Sequence, residues 1–477
     1  MTHTSSLKLY GLAGIMLAAL VICAYRGTSA ASFFVPLAVA GTAYLLTVRE
    51  FFRTPGYPCH VLLICLALSA LWRIPFLRTP LGPDDDIARY IWDGRLQRLG
   101  YNPYTVIPAD RAFSGLHTPA TRGLNNAGVP SPYPAGAQLF FRAVTAIHES
   151  ACAFKIAFAV CDFAIILVLF DLLRRSDQGT HWVLAYAWHP LLATDVAGSG
   201  HVDILGVMLL VVSAAALERR RRAIAAITFG LAVAVKLLPI VLIPLYWRRL
   251  RVHDALLAAS AFGLPYLPFV KAGRIPIGSL AIYVQQFRFN DPVFPILERA
   301  VGPLFAAGVA VVVGLVTAGW WRARRPRCSP DAWAWPMAAS LACAPVVYPW
   351  YLVWLVPFLR SVATLPLAIW TLSVLSTYLI WYLRPLGALV AGLRLAPAGG
   401  VWTCRDDRRS RVASPACTAS KISTCRTVGA PGAPSRTHEL CVACVLTVAG
   451  STWSCRLTRA RGNGRLEKVS RCSWLMP

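Results

Sequence analysis

The sequence predicts an all-α polytopic membrane protein with about eleven to thirteen transmembrane helices. Three observations lead there. Of the 477 residues, 57% are hydrophobic and only 14% charged, a balance foreign to a water-soluble chain of this length. Apolar runs recur from the first residues to about residue 383. The formal charge of +26 is carried largely by arginines clustered in short stretches between those runs. That is the pattern of cytoplasmic loops, so the charge implies membrane lipids as surroundings and no nucleic-acid partner.

Taken in order, residues 9–25 form a first span, because no small-residue cleavage site follows them and further apolar runs come at once. Spans near 32–48 and 59–76 complete an N-terminal group, 1–76. A polar-tolerant loop, 77–151, precedes a core of further spans, 152–385, interrupted by a second loop at 271–302. Arg49 and Arg53, Arg174 and Arg175, Arg219 to Arg222, Arg248 to Arg251, and Arg322 to Arg327 all mark inner loops, which puts the N-terminus inside and loop 77–151 outside. A single crossing at 223–247 would leave Arg248 on the wrong side. Lys236 and Pro239 in "AVAVKLLPIVLIP" instead suggest two short helices in a hairpin with both ends inside.

Beyond about Leu395 the composition changes. Residues 396–477 have no Phe or Tyr, 13 Lys or Arg against 4 Asp or Glu, and 7 of the 14 cysteines at irregular spacing. Cys441 and Cys444 form one C-x-x-C, which alone does not make a zinc site. A disordered or out-of-frame tail is the expectation, with a genuine variable tail as the alternative.

The first outer loop holds the densest chemistry. In "GPDDDIARYIWDGRLQRLGYNPY", Pro83 and Asp84 give a helix start and Gly100 a stop. Asp86, Arg89, Tyr90 and Asp93 then share one helical face, with Ile87 and Ile91 beside it to press on the membrane surface or the bundle. Acidic residues favour a helix N-terminus by about 0.3–1 kcal/mol each, which accounts for one or two aspartates but not three that repel one another. The functional reading is a carboxylate, made more basic by its negative neighbours, that serves as general base. Alternatively, Asp84 and Asp86 hold a divalent cation; no cofactor is otherwise implied, and any metal is unspecified. Arg89 either pairs with a phosphate or ties down Asp86 or Asp93. His201 and Asp203 in "GSGHVD" stand level with the aspartates on an outer loop, fit for donor phosphate or acceptor hydroxyls. Lys236 lies deep in an apolar run, where a charge usually has a purpose, with a phosphate or a structural partner equally open. Asp195, downstream of Trp188, His189 and Pro190, is similar. Tyr348, Trp350 and Tyr351 suit either an interfacial belt or a sugar-stacking platform.

These segments, together with "YPAGAQLFF", "AWHPLLATDVAGSGHVDILG", "AVKLLPIVLIP" and "PVVYPWYLVWLVPFL", resemble bacterial polyprenol-phosphate-mannose-dependent mannosyltransferases of glycosyltransferase family 87, over residues 60–385. The resemblance implies a GT-C-like bundle with a large first outer loop containing amphipathic helices. It also implies a bacterial plasma (inner) membrane location with the site facing outward, a polyprenyl-phosphate sugar donor, and a lipid or glycan acceptor. The two adjacent aspartates before the Arg-Tyr pair match Asp85 and Asp86, the candidate catalytic residues. Asp84, Arg89, Tyr90, Asp93, Tyr133, Gln138, His201, Asp203 and Lys236 are the candidate substrate-binding residues. Tyr133 to Ala135 reads "YPA" where the family usually has "YPP", and members usually continue past 385 with a final helix, so an inactive truncated product is the other reading of the chain. A lipid-linked glycan ligase or polymerase, or a lipid or sugar transporter, are the rival classes. A transporter should show internal repeats, and a ligase should rely on outer Arg and His rather than on an aspartate cluster.

Overall fold

The computed structural model describes residues 2–26, 29–78, 86–175, 178–270, 276–324, 329–380 and 382, and three strands beyond residue 444. The chain divides into two units, Met1–Ala388 and Leu389–Pro477. Among the described residues, the first is built from helices α1 (Thr2–Arg26), α2 (Ala30–Phe51), α3 (Cys59–Leu71), α4 (Arg73–Arg78), α5 (Asp86–Arg98), α6 (Ala135–Ile147), α7 (Ala151–Arg174), α8 (Val183–Ala187), α9 (Asp203–Glu218), α10 (Arg222–Val235), α11 (Ile243–Tyr246), α12 (Val252–Gly263), α13 (Leu280–Gln286), α14 (Phe294–Val301), α15 (Pro303–Arg324), α16 (Pro330–Ala342) and α17 (Leu365–Ser373). The expected all-α polytopic class is therefore borne out in this unit. In the second unit, β1 (Val445–Ala449), β2 (Thr452–Ala460) and β3 (Leu466–Leu475) pair antiparallel in sequence order. The rest of the 396–477 tail lies outside the described residues.

Among the described residues, five helical segments are long and apolar enough to cross a membrane: Thr4–Tyr25, Ala30–Phe51, Cys59–Arg78, Ala151–Arg174 and Pro303–Arg324. A sixth arises if Leu192–Gly198 and Asp203–Glu218, bent by 115°, count as one span. The eleven to thirteen runs of the sequence are thus not all long helices. The remainder fold as shorter segments broken by prolines, as at Pro239, Pro349 and Pro357, where a backbone donor is missing and the chain tightens into 3₁₀ turns.

The hairpin expected at 223–247 is present in the chain's path. α10 ends at Val235, Lys236 is extended, and the chain then returns: Ser213 donates from Oγ to the Ala225 carbonyl (2.6 Å) and its hydroxyl pairs with that of Tyr246 (2.7 Å). Tyr246 therefore lies beside the start of α10, and Arg248 and Arg251 share an end of the bundle with Arg219 to Arg222. Arg219 also pairs with Asp171 near the end of α7, and Phe52, after α2, packs on Trp182 (4.8 Å between rings), which gathers Arg49 and Arg174 at this same end. Lys236, at the other end of α10, faces the opposite way. Between the two ends, Arg73 binds Asp162 (2.6 Å) and the Ala187 carbonyl, while Tyr186 donates to the same aspartate (2.7 Å), locking α4, α7 and α8 together. The buried Arg73 and Asp162 charges lie at hydrogen-bond distance from each other, a condition under which an apolar interior accepts them.

α5 is sunk into the protein rather than laid on a membrane surface. Ile87, Tyr90 and Ile91 enter the main core, while Ala88, Trp92 and Leu96 on the other side pack with Val106 and Leu124 of the following loop. Gly94 makes this possible: a Cβ there would sit 2.5 Å from the Phe141 carbonyl oxygen of α6. The helix consequently holds its first residue, Asp86, rigidly at the end of the bundle where Lys236 lies.

Candidate active site

One cavity of about 280 Å³ collects side chains from both loops and the core. Asp86, Arg89, Asn125 and Tyr133 come from the first loop, Asp203 and Lys236 from the ends of α9 and α10, Ser279 and Tyr283 from the second loop, and Tyr348, Trp350, Tyr351 and Trp354 from the broken segment before residue 360. Asp86 contacts His201 (Nδ1 to Oδ2, 3.3 Å) and accepts a hydrogen bond from Asn125 (3.2 Å). Burial pushes its carboxyl up, but the hydrogen bond and charge of His201, the amide of Asn125 and the charge of Lys236 outweigh burial and hold it below the ordinary carboxylate range. The sequence suggested the opposite, a pKa raised by neighbouring aspartates. The difference arises because the long-range partners, which spacing does not reveal, are cationic or hydrogen-bond donors. Asp84 and Asp85 lie outside the described residues, and with them Asp84's expected capping role.

Lys236 reaches Asp203 (3.3 Å) and sits 4.0 Å from the centroid of the Tyr351 ring. The second oxygen of Asp203 accepts from the Trp354 indole (2.7 Å). His201 is stacked on Trp350 (3.8 Å, 7°), Trp350 on Tyr348 (4.4 Å, 7°) and Tyr348 on Phe289 (4.6 Å, 29°), so a continuous column of four rings backs the contact with Asp86. The backbone that presents His201 is itself fixed. The Gly200 and His201 amides both donate to the Asp195 carbonyl, at the end of a π-helical turn over Leu192–Gly198, and the Asp195 carboxylate accepts from Thr194 and Tyr378.

The remaining sequence candidates separate into two groups. Tyr133 and Arg89 line the cavity. Arg89 is also committed to Asp93 (3.0 Å) and to the carbonyls of Asn126 and Val129, so of the partners considered for it the described contacts are Asp93 and the loop backbone. Asp93 and Gln138 do not line the cavity. Gln138 and Ser131 donate to Asp93, and Gln97 donates to Gln138, a fully buried network that pins the loop to α5 and α6. Tyr90 stacks on Phe141 (4.4 Å) and its hydroxyl accepts from the Val202 amide, bracing the His201 turn from below. Asn125, Trp354 and Tyr283 were not singled out in the sequence. They lie 39, 151 and 68 residues from their partners, Asp86, Asp203 and Tyr351, and carry no local spacing signal. Among the described residues no group of three or more His, Cys, Asp or Glu is arranged to hold a metal ion.

A model of the alpha-(1->6)-mannopyranosyltransferase N-terminal domain, of the MptA_B family, matches residues 10–249. That is half of the chain and spans Asp86, His201, Asp203 and Lys236. The chain belongs to this family, so it is a membrane mannosyltransferase, in agreement with the resemblance read from its sequence. No curated protein and no solved structure gives a significant match.

Proposed function

We propose that the chain transfers mannose from a polyprenyl-phosphate donor to a hydroxyl of a lipid or glycan acceptor, by a single displacement assisted by Asp86, in a cavity on the outer side of a bacterial plasma membrane. The observation that carries this reading is the sharing of one aromatic-walled cavity by a carboxylate and a cation with different partners, Asp86 beside His201 and Lys236 beside Asp203.

The roles follow from the chemistry. A polyprenyl phosphate leaves as an anion at neutral pH and needs charge neutralisation, not a proton. Lys236 supplies the charge, exchanging Asp203 for the phosphate while the Trp354 indole keeps the abandoned carboxylate satisfied. The acceptor hydroxyl does need a base. Asp86 is held ionised, and takes the proton as the new carbon–oxygen bond forms; His201 and Asn125 orient its two oxygens. The anomeric carbon inverts in one displacement, so an α linkage of the kind named for the family requires a β-linked phosphate donor. Tyr348, Trp350 and Tyr351 wall the cavity beside the sugar; the faces of Tyr348 and Trp350 are already covered within the ring column, so they shape the site rather than stack on the substrate. Asp85, adjacent in sequence, remains a second candidate base.

The donor class is tested by incubating membranes containing the chain with radiolabelled mannose on either a polyprenyl phosphate or a guanosine diphosphate. Transfer from the polyprenyl form alone is the expected result. Equal transfer from the nucleotide sugar in membranes free of polyprenyl phosphate overturns the reading.

A further inference from the structure

A second cavity, of about 620 Å³, lies away from the catalytic one, between α10, α12 and the segment that joins them. Its lining is apolar along most of its length: Phe229, Gly230 and Val233 from α10, Ile240 and Ile243 from the connector, and the alanines at 255, 258 and 259 with Phe262 from α12. The two helices pack closely beside the groove, where a Cβ on Gly230 would lie 2.1 Å from the Ala258 carbonyl oxygen. The alanines of α12 leave the space unfilled.

One end of this groove is charged. Arg248 and Arg251 line it, both are exposed, and Trp247 beside them is 70% exposed. Arg248 holds a left-handed backbone conformation (φ 60°), which favours glycine and costs an arginine roughly 1–2 kcal/mol. From Arg251 to Phe262 the helix climbs about 16 Å at 1.5 Å per residue. That is about half of the ~30 Å hydrocarbon core, the depth of one leaflet. Outside the groove, Leu256, Leu264 and Leu267 are more than half exposed, as expected of a face that meets acyl chains.

We infer that this groove is a binding site for an anionic phospholipid, one acyl chain lying along α10 and α12 and the headgroup phosphate on Arg248 and Arg251. Charge complementarity selects the occupant: a zwitterionic lipid brings a choline or amine that two arginines repel, whereas phosphatidylglycerol or cardiolipin brings net negative charge. The site lies at the basic end of the bundle, with the Ser213–Tyr246 contact, and opposite Lys236. It therefore differs in position from the phosphate site proposed for the donor, and does not depend on that proposal. Its occupant wedges the hairpin whose far end carries Lys236, so it stabilises the protein without entering the reaction.

Native mass spectrometry of the full chain, released from detergent with phosphatidylglycerol, phosphatidylcholine, polyprenyl phosphate or inorganic phosphate added in turn, tests this. Retention of phosphatidylglycerol at least tenfold above phosphatidylcholine is expected, with loss of that preference in an Arg248→Gln, Arg251→Gln double variant. Both positions are exposed, so the variant keeps its fold, which a thermal melt in detergent checks. Ala255→Leu fills the groove without touching charge, and is expected to lower retention while leaving inorganic phosphate binding undetectable. Equal retention of the two phospholipids, undiminished retention in the double variant, or displacement of phosphatidylglycerol by stoichiometric polyprenyl phosphate would each overturn the assignment.

Discussion

Replacing Asp86 by Asn is the most direct perturbation of the proposed chemistry. The side chain keeps its volume, its carbonyl oxygen can still accept from Asn125, and its amide turns toward His201, so the fold of the first loop has little reason to change. What disappears is the acceptor for the proton of the attacking hydroxyl. A positioned general base contributes about 10²- to 10⁴-fold to rate, or about 2.7–5.4 kcal/mol at 1.36 kcal/mol per tenfold. The loss should fall on kcat, because the proposed roles place the donor phosphate on Lys236 rather than on Asp86. The assay is mannosyl transfer from radiolabelled polyprenyl-phosphate mannose, at saturating acceptor, by detergent-purified protein. A thermal melt beside it shows whether the variant is folded. Activity within threefold of the parent chain in a folded Asp86→Asn protein refutes the base assignment and passes the role to Asp85.

Two further outcomes follow from the same contacts. Because His201 and Lys236 hold the Asp86 carboxyl below its ordinary range, the rate should be flat near neutrality and fall only as pH drops through that lowered pKa; His201→Gln removes a charge and a hydrogen bond, so the acid limb should move to higher pH, and an unmoved limb in the kcat/KM profile would sink the coupling. Trp354→Phe removes the only described hydrogen bond that Asp203 keeps when Lys236 turns to phosphate; a lost hydrogen bond to a buried carboxylate is worth about 1.5–3 kcal/mol, so the donor KM should rise by about 10- to 100-fold, and a KM within twofold of the parent would show that Lys236 does not leave Asp203.

Much of the fold was legible because it rests on local pattern. Apolar runs and arginine clusters mark the spans and the basic end, and Lys236 with Pro239 marks the point where the chain turns back on itself. The aspartate run was legible too, since three carboxylates in an apolar chain demand a reason. What could not be read was the environment of Asp86. Its His201 and Asn125 partners come from remote segments, so the direction of its pKa shift was invisible from the neighbouring aspartates alone. Asp93 shows the same limit from the other side. It shares a helical face with Asp86 by spacing, yet the turn of the helix and the closeness allowed by Gly94 point it into a buried network with Ser131 and Gln138, away from the cavity. Helical periodicity identifies neighbours on a face; it does not say which of them meets open space.

Under the proposed roles, the arrangement also addresses how a protein can keep a cation ready for a lipid phosphate inside an apolar bundle. An unpaired lysine there would be costly, and a lysine locked in a saturated ion pair would be unavailable. Lys236 has neither fate: it holds one oxygen of Asp203 at 3.3 Å and rests on the Tyr351 ring, while the other oxygen of Asp203 already has the Trp354 indole at 2.7 Å. The resting pair is thus weak enough to exchange, and the carboxylate left behind is not orphaned. Asp86 follows the same rule, with Asn125 on one oxygen and His201 on the other, so a hydroxyl can displace one contact without stripping the carboxylate. Giving each buried carboxylate two donors from different segments lowers the cost of exchanging either one, and both exchanges are what a displacement at the anomeric carbon requires.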